Sequence, residues 1–153
     1  MESVKIISYT CQHQAEFERL NRTWIERYFK MEPLDEQILK MPNKYIIEAG
    51  GFILMAELDR KTVGTVALKK ISADAYEFTK MGVDLNYLRR GIAEKLSEKA
   101  IAVAREKGAK KLILFTNSKL TPAINLYEKV GFKHVDLGKA DYLRADVKMV
   151  LNL

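Results

Sequence analysis

Residues 76–117, YEFTKMGVDLNYLRRGIAEKLSEKAIAVAREKGAKKLILFTN, restrict the fold more than any other stretch of the chain. The first piece, 76–85, reads as a strand. Ile92, Leu96, Ala100 and Val103 then recur at helical spacing through 91–108, and Gly108 is a suitable stop. KLILFTN, 111–117, is continuously apolar at its centre, as a buried strand is. A strand, a long helix and a second strand in this order make a right-handed crossover between two parallel strands. The chain must therefore build a sheet that carries helices on its faces.

The flanking segments make that sheet mixed. VKIISY (4–9) is a first strand, and GGFILMAEL (50–58) pairs with TVGTVALKKI (62–71) through a turn at Asp59, Arg60 and Lys61. Between them, HQAEFERLNRTWIERYF (13–29) sets Phe17, Leu20, Trp24 and Tyr28 on one helical face, which is expected to be core. PLDEQILKMP (33–42) is a short helix that starts at Pro33 and is ended by Pro42. PAINLYEKVG (122–131) is another, and KHVDL (133–137) and YLRADVKMVLNL (142–153) are two closing strands. The order β-α-α-β-β-β-α-β-α-β-β describes one α/β (α+β) domain over residues 1–153. About seven strands and about four helices are expected, with neither a repeat nor a linker.

Composition narrows the function. No apolar run approaches the roughly 18 residues of a membrane span. The opening MESVKIISYT lacks the pattern of a secretory signal, so no membrane and a cytoplasmic location are expected. Cys11, His13 and His134 offer no metal-ligand spacing, so no metal is expected either. The net charge of +6 favours anionic partners. Its basic residues are scattered or paired, as at Lys69-Lys70, Arg89-Arg90 and Lys110-Lys111, and no nucleic-acid-binding pattern accompanies them.

One pair stands out. Arg89, Arg90 and Gly91 sit where a strand gives way to a helix. A helix start presents amides with no internal acceptor and the positive end of the dipole. Gly91 and Ala93 leave the backbone open, so the amides of Arg89, Arg90, Gly91, Ile92, Ala93 and Glu94 can cradle a pyrophosphate. Equally, the small residues can serve close packing and the arginines can be solvated. Neither the dinucleotide fingerprint G-x-G-x-x-G nor the Walker pattern occurs.

Leu88-Arg89-Arg90-Gly91-Ile92-Ala93 resembles the pyrophosphate loop Q/R-x-x-G-x-G/A of the GNAT superfamily, the N-acetyltransferases that use acetyl-CoA. Leu88 departs from the pattern at its first position. EFTKMGVD (77–84) is similar to the strand that precedes this loop in the family. A second segment, TNSKLTPAINLYEKVGF (116–132), resembles the family's N-x(n)-A-x-x-L-Y-x-K-x-G-F. The resemblance covers about 50–150 and implies the GNAT fold, with the parallel strands splayed at the cofactor site.

It further implies transfer of an acetyl group from acetyl-CoA to a primary amine by direct attack on the thioester. Met81, Gly82 and Val83 would lie along the pantetheine arm, with Gly82 otherwise a close-packing residue. Asn117 and Asn125 would hydrogen-bond the arm or else serve as cap and turn residues. Glu77, placed by alternation on the side of Thr79, Met81 and Val83, matches a general base, and otherwise is a salt-bridging carboxylate. Tyr127 matches the acid that protonates the departing thiolate, and also fits a core aromatic. Tyr28, Phe29, Glu32 and Asp35 fall where the family builds its acceptor wall, although a solvated acidic face reads the same. The acceptor, a small-molecule or peptide amine, stays open, and a homodimer is possible. Two rivals are a catalytically silent acetyl-CoA-binding regulatory module and a basic nucleic-acid-binding domain.

Overall fold

The predicted crossover is present in the computed structural model, which describes residues 3–153. Strands β4 (Ala75–Val83) and β5 (Lys111–Thr116) run parallel, linked by helix α3 (Ile92–Glu106). Every other strand pairing is antiparallel among the described residues. β1 (Lys5–Ser8), β2 (Phe52–Leu58) and β3 (Lys61–Ser72) extend the sheet beyond β4; β7 (Val147–Asn152) and β6 (Lys133–Val135) extend it beyond β5. The order across the sheet is β1-β2-β3-β4-β5-β7-β6. Asp59 and Arg60 carry φ of 53° and 65°, so the β2–β3 hairpin closes through a tight left-handed pair that matches strand twist.

Alternation along the strands loads each face with its own core. Leu54, Val66, Leu68 and Phe78 meet Ile92, Leu96 and Ala100 of α3 and Tyr127 of α4 (Thr121–Val130). Ile53, Met55 and Ala67 point the other way, onto Phe17 and Ile25 of α1 (Gln14–Tyr28) and Ile38 and Leu39 of α2 (Pro33–Lys40). After Pro42, Asn43–Ile47 form a wide helical turn that buries Ile46, a feature the sequence pattern did not disclose. Among the described residues, no helix is long and apolar enough to cross a membrane.

Two expectations are corrected. Tyr28 is 45% exposed rather than core, because it is the last residue of α1 and overhangs the packing surface; Ile25 takes its place. Residues 142–146 are not strand, since β7 begins only at Val147. Their backbone is satisfied by side chains instead. Glu32 accepts from the amides of Leu143 and Arg144, and Asn117 donates to the Arg144 carbonyl at 2.7 Å.

Candidate active site

The parallel strands stay joined only at one end. Ala75 pairs with Lys111, Tyr76 with Leu112 and Glu77 with Ile113, after which no pairing follows. β4 nevertheless runs on to Val83 and β5 to Thr116, each held on its outer side by β3 or β7. The inner edges thus diverge into a wedge with unpaired peptide groups, which an extended amide chain can occupy as an added strand.

A bulge gives β4 its shape beyond the split. Thr79 pairs with Ala67 but Gly82 with Thr65, so β4 carries one residue more than β3, and Lys80 has a φ of 53°. The extra residue resets the alternation. Glu77, Lys80 and Gly82 face α1 and α2, whereas Met81 and Val83 turn onto the α3 face. The expectation that Glu77 shares a side with Met81 and Val83 is therefore overturned by the bulge. At Gly82 a Cβ would lie 2.7 Å from the Leu20 carbonyl oxygen, so glycine lets α1 seat directly on β4.

The wedge opens toward the start of α3. Asp84 caps a short turn, Leu85–Tyr87, by accepting from the Asn86 amide at 2.9 Å. Arg89 (φ 63°) and Gly91 (φ 77°) are left-handed, and Gly91 is the cap preceding Ile92 rather than a residue of the first turn. The helix closes its first turn through Lys95 N–H to Gly91 O at 3.1 Å. The preceding amides, of Ile92, Ala93 and Glu94, point outward without helical acceptors. A Cβ on Gly91 would meet nothing within 4 Å, so the space over this cap is clear. The Ile92 side chain is buried in the core and only its backbone faces this space. Arg89 and Arg90 are exposed, with the Arg90 guanidinium 5.1 Å from the Tyr87 ring. Glu94 is neutralised by Lys129 of α4 at 2.7 Å, which removes a repulsive charge from beside the amides.

Glu77 sits at the split itself, 7% exposed. Burial pushes its carboxyl up, against the opposing pull of Lys69 and Lys80. Tyr127 is buried on the opposite face, its ring edge-on to Phe78 at 5.7 Å and Phe132 at 6.0 Å. Burial raises its phenol as well, so it stays protonated near neutral pH. Its hydroxyl has no hydrogen-bond partner in the described residues, yet no fully enclosed side-chain N or O lacks one. That oxygen therefore reaches accessible surface.

A charged cluster that the sequence reading missed lies beside Glu77. Lys80 Nζ donates to Asp35 Oδ1 at 2.6 Å and to the Tyr142 hydroxyl at 2.9 Å. Arg144 forks onto the same carboxylate at 2.7 and 2.8 Å, and Asp35 also accepts from the Glu32 amide at 2.9 Å. Burial alone would raise Asp35, but Arg144 and Lys80 overcome it and hold the carboxyl at about 2. Burial pulls the Lys80 ammonium down, and the Asp35 carboxylate hydrogen-bonded to it pulls the other way. A lysine between Thr79 and Met81 in a sheet strand was the signal available. Arg144 was hidden inside an apparent strand.

The remaining candidates separate. Asn117 is already engaged at both ends, through the Arg144 carbonyl and the Lys119 amide at 2.8 Å. Asn125 is exposed on α4. Tyr28, Phe29 and Glu32 do come together, lining an open cleft of about 760 Å³ between the α1–α2 connection and the 142–146 loop. The expected attraction of a cationic amine by Glu32 and Asp35 fails here, because loop amides, Arg144 and Lys80 consume both carboxylates.

Known proteins share this architecture. An acetyltransferase of Staphylococcus aureus Mu50 superposes with a TM-score of 0.90 at 22% identity, over 99% of both chains. The PaiA N-acetyltransferase of Thermoplasma acidophilum, solved in complex with coenzyme A, gives 0.76 at 18% identity over 99% of both. In sequence, the N-acetylaspartate synthetase of Xenopus tropicalis is 36% identical over 92 residues, 60% of this chain and 34% of that one. The uncharacterized N-acetyltransferase YjgM of Escherichia coli K12 is also 36% identical over 92 residues, 59% of this chain and 55% of that one. The chain thus spans between a third and just over half of these two relatives. The acetyltransferase (GNAT) family pattern matches residues 15–132, which hold both strands of the wedge, the capped helix at its mouth and Tyr127. The chain belongs to the acetyltransferase (GNAT) family.

Proposed function

We propose that the protein transfers the acetyl group of acetyl-CoA to a primary amine by direct attack on the thioester. The observation that carries this reading is the unpaired wedge between β4 and β5, which ends at the uncovered amides of α3. Coenzyme A fits such a site by its chemistry. Its arm is an extended diamide that suits the inner-edge peptide groups along Met81, Gly82 and Val83, past the last β4–β5 pair. Its diphosphate suits helix-start amides from Gly91 to Glu94, with Arg89 and Arg90 adding charge. Asn125, exposed on α4, is free to bond the arm, while Asn117 acts by shaping the β5–α4 turn.

When bound, acetyl-CoA supplies the activated acyl carbon and a thiolate leaving group. Glu77 acts as base. Its burial raises proton affinity, so the carboxylate takes the proton of an incoming ammonium more readily than a solvated one does. Tyr127 acts as acid. Burial keeps its proton in place, and the unpartnered hydroxyl can give it to a sulfur anion that shares the same apolar surroundings. The names of related N-acetyltransferases support an amine as acceptor.

The test follows free thiol release with acetyl-CoA and a panel of amines, beside calorimetric titration of acetyl-CoA. Saturable binding with turnover is expected, and Tyr127→Phe should lower kcat about 100-fold while binding stays intact. Binding without thiol release from any amine would leave a silent acetyl-CoA-binding module and end the catalytic reading.

A further inference from the structure

The cleft beside the cluster has an unusual charge balance. Arg27, Lys30, Lys119 and Arg144 line it, against only Glu26 and Glu32, an excess of two positive charges. The carboxylates are already engaged. Glu26 stands 3.6 Å from Arg22, and Glu32 clamps the loop amides and the Arg144 guanidinium. Arg27, Lys30 and Lys119 form no ion pair among the described residues. Two of them rest on aromatic faces instead. The Arg27 guanidinium lies 5.6 Å from the Tyr28 ring centre, and Lys119 Nζ lies 5.6 Å from that of Phe29. Cations held against aromatic rings with no counter-ion are placed to take an anion from solution.

One contact chain ties the cleft to the reacting side of the sheet. Arg144 faces both the cleft and buried Asp35, and Asp35 holds Lys80 on the face that carries Glu77. From these positions we infer that the acceptor is a small amine bearing at least one carboxylate, such as an acidic amino acid. Its carboxylate is held by the Arg27 and Lys119 cations, and its amine is directed toward Glu77. This rests on the proposed acetyl transfer and adds the acceptor's class. A polycation or a lysine side chain meets repulsion at the same place.

Two measurements test it together. Thiol release is compared for aspartate and glutamate, their amidated forms, and the polycation spermidine. Separately, aspartate is titrated against the fluorescence of Trp24, the chain's single tryptophan, whose ring lies 5.7 Å from Arg144. The acidic amines should be preferred in kcat/KM, with the preference falling as salt rises. Arg27→Glu with Lys119→Glu should raise the KM and the fluorescence Kd for aspartate about tenfold or more and lower the KM for spermidine, with acetyl-CoA affinity unchanged. Spermidine or the amidated forms turning over as well as the free acids, with no saturable aspartate signal, would overturn the acceptor class and leave acetyl transfer standing. A saturable, charge-sensitive aspartate signal without turnover of any amine would instead uphold the anion site and sink the transfer reading.

Discussion

Replacing Asp35 by asparagine isolates the buried cluster, because the carboxylate has no solvent exposure and serves two cations at once. Its native partners hold it at about 2, against 3.8 for the free side chain. A depressed carboxyl contributes stability above its unfolded pKa and loses it as pH falls toward the folded one. Here that amounts to about 2 kcal/mol at pH 7, with about half remaining at pH 3. The neutral amide would in addition strand Lys80, 4% exposed, beside Arg144 without an anion. Removing one partner of such a pair costs about 3–5 kcal/mol. For a chain of this length that lowers Tm by about 6–20 °C. Urea unfolding at pH 7, 5, 4 and 3 should show a deficit that narrows only below pH 4. The double variant Asp35→Asn with Lys80→Met should lose less than the sum of its parts, by about 1–3 kcal/mol. A single variant within about 1 kcal/mol of the parent at pH 7 would refute the reasoning, as would strictly additive losses.

Three further outcomes follow from the site. Glu77→Gln should stabilise the fold at pH 8, since a carboxyl whose pKa burial has raised loses stability as pH climbs through that value; the gain should vanish near pH 4. The same variant should cut kcat about 100-fold and erase the acidic limb of the pH–rate profile, and an unchanged limb would remove Glu77 as base. Gly91→Ala should cost only about 1–2 kcal/mol, from its left-handed φ of 77°, because the added Cβ meets nothing. That Cβ should weaken acetyl-CoA about tenfold by calorimetry, and equal affinity in a folded variant would count against the cradle. Gly82→Ala should destabilise by about 1–3 kcal/mol in thermal melts, because its Cβ would press on Leu20's carbonyl at 2.7 Å.

Local signals carried the element order and the helix-start loop. Helical spacing from Ile92 to Val103, the glycine stop at 108 and the apolar run at 111–117 are short-range patterns, and they settle a crossover whatever surrounds it. Gly91 was legible for the same reason, since a helix start exposes its amides by geometry alone. Tyr127 was picked out by its neighbours in LYEKVGF, and the fold buries it.

Alternation failed at Lys80, because one inserted residue shifts the facing of everything after it and nothing within β4 announces the insertion. The charged cluster was equally silent. Asp35 and Arg144 stand 109 positions apart, and only the packing of α2 against the closing loop brings them within 2.7 Å. Sequence by itself determined the main strands and helices and their order, because hydrophobic period and end residues act over a few positions. Tertiary structure alone decided which charges are spent on one another and which stay free to meet a ligand, because Coulomb energies depend on distances and burial that no spacing along the chain encodes.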